Sequence, residues 1–320
     1  MPLVVEPAWI GRRIVIRYAV DRDVSGRLLF ADTVGDLVTL SDETATVESK
    51  SGRQDVAVAH IAVAKLVEPA AAEILALEAI TARGWRARDT AESHGWLLRA
   101  DVGFTNRANS ALPLRPPSGS LDETLEAART WFTAHDLPLR IQLPLHARRL
   151  LDAELADRGW PATPDTYVLA ARLDALPSGP APGVDVEIAK VPDDAWVARF
   201  RDGAMPPAAR ALLTRHDRVG FAEIRQGGAT VAIGRGAVDD GWLGVTGVEV
   251  DPAGRRQGLA TAIMHALWRW AVDEHGATRS YLQVSADNDA ALALYEGLGY
   301  WHHHAYRYRS EPAHPPVTDD

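Results

Sequence analysis

The segment Val250-Asp251-Pro252-Ala253-Gly254-Arg255-Arg256-Gln257-Gly258-Leu259-Ala260 carries the most specific chemistry in the chain. It joins an apolar, β-type run to a long amphipathic helix. A helix start presents backbone N–H groups that the helix itself leaves unpaired, and its dipole favours an anion there. Arg255 and Arg256 add positive charge, and Gly254 and Gly258 let the main chain approach a ligand closely. Helix starts ordinarily attract Asp or Glu, yet residues 252–272 contain no carboxylate in a chain of net charge −9. The chemistry this offers is phosphate binding; the plain alternative is a tight turn with two solvated arginines.

Downstream, residues 279–284 (RSYLQV) have strand character. Asn288, Ala291, Tyr295, Gly299 and Tyr300 follow in an N-x-x-A-x-x-x-Y-x-x-x-G-Y pattern. Together with Val250, Pro252 and the R-x-x-G-x-A loop Arg255-Gly258-Ala260, this stretch resembles the GNAT N-acetyltransferase superfamily over residues 184–309. The resemblance implies that the main chain from Arg255 through Arg256, Gln257, Gly258 and Leu259 to Ala260 cradles the pyrophosphate of acetyl-CoA, with Thr261 as a hydroxyl contact. It also implies that the pantetheine arm pairs with the backbone of Val248 and Val250 as an added strand. Asn288 matches a cofactor-contacting asparagine, and could equally be the N-cap of its helix. Tyr295 matches the tyrosine near the cofactor sulfur, whose hydroxyl can protonate the leaving thiolate.

An amine nucleophile has a pKa near 10.4 and must lose a proton before attack. Many relatives place a Glu for this on the strand before the Asn helix, where this chain has Gln283, which cannot take the proton. Glu249 is the substitute candidate, although strand alternation turns it away from Val248 and Val250; a water relay is the other route. Arg99, Arg107, Asn109 and Gln283 are candidates for contact with the acceptor, or else hold the fold. His302-His303-His304 does not read as a metal site, because neighbours on a regular strand point to opposite faces. Trp268 and Trp270 read as core residues.

Positioning these groups takes more than one domain, since 320 residues exceed one ordinary core. Short runs at 13–17, 26–30, 37–40, 45–48 and 55–59, separated by Gly, Asp and Ser, predict a small all-β barrel over residues 1–68, which resembles the SH3-like module that precedes the acetyltransferase region in some actinobacterial members of the superfamily. Residues 69–175 read as helix 69–82, strands 95–99 and 104–112, helix 120–134, strand 139–143, helix 146–157 and strand 167–173. A Pro/Gly-rich linker, 176–183, and a second unit, 184–310, follow, with a disordered tail at 311–320. The order of elements at 104–173 repeats in the second unit. The fold class expected is thus α/β (α+β): a GNAT fold in the C-terminal half, a degenerate GNAT-like half before it, and the barrel in front. In the earlier copy Ser120 and Glu123 have capping-box spacing and Asp122 adds negative charge, so that helix start is sealed. One acyl-CoA is therefore expected, on the second copy.

The absence of cysteine excludes disulfides, thiolate metal sites and a cysteine nucleophile. No signal peptide and no membrane-length apolar run is visible, so a cytoplasmic protein is expected. Net charge −9 argues against a nucleic-acid partner. The expected activity is transfer of an acetyl group from acetyl-CoA to a primary amine. Its rivals are an acyl-CoA-binding sensor without catalysis and an interaction module whose barrel recruits a protein partner.

Overall fold

The computed structural model describes residues 5–175, 184–203 and 205–312. The expected linker, and the expected tail beyond residue 312, lie outside them. The N-terminal part contains β1 (Arg13–Arg22), β2 (Leu28–Leu40), β3 (Thr44–Ser49), β4 (Gly52–Ala57) and β5 (Ile61–Leu66). All neighbours pair antiparallel, in the order β4-β3-β2-β1-β5. Residues 28–30 of the first run and the run 37–40 belong to the single strand β2, and β5 follows the last run. Alternation marks extended chain but not where strands begin and end, and the 3-10 turn Val58–His60 separates β5 from β4. Ile14, Ile16, Leu37, Ala45, Val47, Val56 and Ala64 form a separate small core.

The remainder comprises α1 (Ala71–Gly84), β6 (Asp89–Ser93), β7 (Trp96–Ala100), β8 (Ser110–Leu112), α2 (Leu121–Thr133), β9 (Arg140–Pro144), α3 (Leu145–Asp157) and β10 (Thr166–Arg172). Then come β11 (Glu187–Ala189), α4 (Asp194–Arg199), α5 (Arg210–Thr214), β12 (Val219–Gln226), β13 (Ala229–Asp239) and β14 (Trp242–Val250). The chain finishes with α6 (Leu259–His275), β15 (Arg279–Ser285), α7 (Asp289–Gly297) and β16 (Trp301–Ser310). The run 104–112, expected as one strand, holds a 3-10 turn at Asn106–Ala108 and only then β8. Thr105 and Asn109 bond to the local backbone and favour the turn.

These strands form one sheet in the order β11-β12-β13-β14-β15-β10-β16-β9-β8-β7-β6. The two halves exchange their last strands: β10 lies between β15 and β16, and β16 pairs with β9 of the earlier half. Each half has one parallel junction, β8 with β9 and β14 with β15, bridged by α2 and α6 respectively. Alternating side chains send Leu282 and Val284 toward α6 and α7, and Ile141 and Leu143 toward α2 and α3. On the opposite face Tyr281, Val168, Tyr306 and Tyr308 meet α1, and Ile233 and Phe221 meet α4 and α5. The ordered chain continues past residue 310, because Glu311 is held by Arg129 at 2.6 Å. No helix among the described residues is long and apolar enough to cross a membrane.

Candidate active site

The β14–β15 junction opens along its length. Parallel pairing runs from Trp242–Arg279 to Val245–Leu282 and stops there, although β14 continues to Val250 and β15 to Ser285. The cause lies in β14. Gly247 and Val248 together oppose one residue of β13, a bulge between the Thr246–Arg235 and Glu249–Ile233 pairs. Gly247 has φ +62°, and a Cβ there would collide with Phe200, so only glycine fits. Beyond the bulge, part of the β14 backbone edge is left for another extended chain.

At the end of that edge, Asp251 caps a short 3-10 turn, accepting from the Ala253 N–H, and pairs with Arg199 at 2.9 Å. The chain then passes Arg255, Arg256 and Gln257, all exposed, and enters α6 at Gly258. Arg256 and Gly258 have φ values of +62° and +77°. Gly258 is the N-cap, no side chain caps the helix, and its first turn has no acidic residue. The first-turn N–H groups of Leu259, Ala260 and Thr261 precede any intrahelical acceptor. The start of α2 differs: Ser120 Oγ accepts from the Glu123 N–H at 3.2 Å, and Glu123 accepts from the Ser120 N–H at 3.0 Å. Of these two helix starts, each following a parallel-paired strand, only that of α6 is open to an anion.

Val248 and Val250 pack toward α6, so Glu249 faces the other way. Its carboxylate accepts from the Arg201 N–H at 3.0 Å. Gln283 lies on that same face, and its Oε1 is buried without a hydrogen-bond partner. Asn288 caps α7, accepting from the Ala291 N–H at 3.1 Å. Tyr295 packs against the α6 core beside Tyr300, ring centroids 6.1 Å apart. Its hydroxyl has no hydrogen-bond partner among the described residues, and burial pushes its pKa up to about 12. It therefore remains protonated at neutral pH.

A family model described as "Probable histone acetyltransferase Rv0428c C-terminal" matches residues 71–309. The chain belongs to this GNAT acetyltransferase family. The "Probable histone acetyltransferase Rv0428c" of Mycobacterium tuberculosis is 28% identical over 311 residues, covering 93% of this chain and 94% of that protein. A GCN5-related N-acetyltransferase from Kribbella flavida superposes with a TM-score of 0.60 at 24% identity, covering 78% of this chain and 98% of that one. A tandem GNAT protein from the clavulanic acid biosynthesis pathway gives 0.54 at 16% identity, covering 78% and 91%.

Within this GNAT chain, the remaining acceptor candidates separate. Arg99 is buried and donates to Ser110 O, Ser110 Oγ and Gln142 Oε1. Asn109 is buried and bonds the Asp101 and Gly103 N–H groups and the Thr105 carbonyl. Both hold the fold. Arg107 instead lines a cleft of about 340 Å³ together with Arg201, Phe104, Ser285, Tyr306 and Tyr308. Sequence reading missed Arg201, which reaches the cleft only through a left-handed turn (φ +51°). His303 and His304, expected to point apart, touch instead, Nδ1 to Nδ1 at 2.7 Å, because β16 bulges opposite Val168–Leu169. His304 continues to Glu78 Oε1 at 2.8 Å. Among the described residues no His/Asp/Glu group is arranged to hold a metal.

Proposed function

We propose that this chain is an N-acetyltransferase that moves the acetyl group of acetyl-CoA to a primary amine by direct attack. The observation that carries the proposal is the uncapped, acid-free start of α6 at the open end of the β14–β15 junction. A diphosphate suits Gly258 through Thr261, with Arg255 and Arg256 beside it, and a pantetheine arm suits the free edge at Val248 and Val250. The donor supplies the acetyl thioester. The amine nitrogen bonds to its carbonyl carbon, the C–S bond breaks, and the electron pair leaves on sulfur.

Tyr295 is the group for that sulfur. With its pKa near 12, full proton transfer to a thiolate of ordinary pKa near 8.5 would run uphill by about 5 kcal/mol. Donation of a hydrogen bond, which needs no complete transfer, is the role that fits. Glu249 lies on the strand face opposite α6, and its carboxylate, steadied by the Arg201 N–H, can receive the amine proton directly or through water. Gln283 then serves as a polar neighbour on that face, its Oε1 buried behind the surface.

We read the two exchanged halves as a tandem pair in which only the second binds acyl-CoA, and the N-terminal sheet as an SH3-like module that packs on them or docks a protein partner. A cytoplasmic setting, where acetyl-CoA is made, suits this reading. Acetyl-CoA turnover with an amine panel, followed as free thiol, tests it. Thiol release that depends on an amine supports it. Binding without turnover leaves an acyl-CoA sensor in its place.

A further inference from the structure

Resting on the acetyltransferase reading above, the cleft beside Glu249 carries information about the acceptor. Its lining includes two arginines, Arg107 and Arg201, and no carboxylate. Neither arginine forms an ion pair among the described residues, unlike Arg215 and Arg309, which are also partly or largely buried and each hold a carboxylate. The Arg107 guanidinium meets the Tyr306 phenol, but its Nε is buried with no hydrogen-bond partner. An unpaired buried donor on a charged group is costly, and a ligand that accepts from it recovers that cost.

The second arginine lines the same cleft. Arg201 lies at the rim, exposed, with its guanidinium 4.7 Å from the centroid of Phe104 and 5.6 Å from that of Phe200. Stacking on the two rings fixes its plane and leaves its edge for a planar anion. Partial loss of water beside the two rings and the positive charge of Arg107 both lower its pKa, with Glu249 opposing. Two cations brought together without an anion between them repel each other. Ser285 at the tip of β15 and the phenols of Tyr306 and Tyr308 complete a wall of neutral hydrogen-bonding groups.

We propose that this cleft recognises a carboxylate on the acceptor, so that the substrate is an amino-acid-like amine and not a lysine in a neutral peptide. Arg107 is the inner contact and Arg201 the rim contact. The amine would then reach toward Glu249, whose carboxylate is tied to the Arg201 main chain, while the acid group is held by the two guanidinium groups.

Two measurements on the full chain separate this proposal from the acetyltransferase reading. In the first, protein free of acetyl-CoA is titrated with glutarate and with glutaramide and followed by thermal shift. Glutarate is expected to raise the melting temperature of the wild type, glutaramide is not, and the rise is expected to vanish in Arg107→Gln. In the second, β-alanine, L-glutamate and L-lysine are compared as acceptors with their carboxamides and with a neutral lysine peptide. The carboxylate forms are expected to have kcat/KM higher by about 10- to 100-fold, the value of a charge-assisted hydrogen-bond pair. Arg107→Gln and Arg201→Gln should raise KM for the carboxylate forms and leave the dissociation constant of acetyl-CoA unchanged. Equal stabilisation by glutarate and glutaramide, or equal turnover of carboxylate and carboxamide, overturns the carboxylate proposal. Failure of acetyl-CoA itself to bind overturns the acetyltransferase reading, and the glutarate result still decides whether the cleft takes an anion.

Discussion

Replacing Tyr295 by Phe removes a single oxygen, and the structure sets the size of the effect. The ring packs against the α6 core and would stay there in the variant. Its hydroxyl has no partner among the described residues, so its loss orphans no group, and stability should change by less than about 0.5 kcal/mol. In the proposed reaction, the hydroxyl would donate to sulfur as negative charge develops. A hydrogen bond to a charged acceptor contributes about 1.5–3 kcal/mol, which is about 10- to 150-fold in kcat. This interaction exists only as the C–S bond breaks, so KM for acetyl-CoA should stay within about twofold. Steady-state thiol release over a range of acetyl-CoA concentrations, beside a thermal melt, reads both. Because Tyr295 titrates near pH 12, it should contribute no alkaline limb below about pH 11. An unchanged kcat, or a loss carried by KM, would refute the assignment.

The remaining expectations concern the frame of the site. Glu78 is buried between His304 Nε2 at 2.8 Å and Gln142 Nε2 at 2.6 Å, and Gln142 in turn holds Arg99 at 2.8 Å. Glu78→Ala should cost about 3–5 kcal/mol in urea unfolding, since it leaves the buried Arg99 without a nearby carboxylate; a loss below about 1 kcal/mol would show the network to be dispensable. Burial holds the His303 pKa down to about 3 and also lowers those of His302 and His216. A lowered folded-state pKa means that the unfolded chain takes up the proton first. Stability should therefore fall as pH drops below about 6.5, and keep falling toward about 3. Melting temperatures between pH 7.5 and 5, above the carboxylate range, check the sign; a flat or rising profile on acidification contradicts it.

Much of the site was legible because it rests on local rules. The Ser120–Glu123 spacing announces a capped helix, and its absence before Gly258 announces an open one; both depend on residues within one turn. The alternation that sets Glu249 apart from Val248 and Val250 is equally local. What sequence could not give is which strand pairs with which. A buried strand such as β10 carries the same apolar signal whether its neighbour comes from its own half or, as here, from the other. That exchange joins the two units, delimited in sequence by the linker at 176–183, into one sheet. Arg99 and Arg107 likewise look alike in sequence, yet one reaches into the core toward Gln142 and the other into a cleft, a difference decided by the 3-10 turn at Asn106–Ala108. Arg201 gave no signal at all, because its position depends on a left-handed residue that no glycine marks.

Calorimetric titration with acetyl-CoA, on the wild type and on Gly258→Asp, bears most directly on the central claim. The Gly258 site has open space around a built Cβ, and Asp tolerates left-handed backbone better than most residues, so the variant should fold. It puts a carboxylate where the diphosphate is expected to sit. A diphosphate seated at this helix start predicts one binding event on the wild type and at least about a tenfold loss of affinity in the variant, from charge repulsion. No heat with the wild type, or equal affinity in the two proteins, would contradict it.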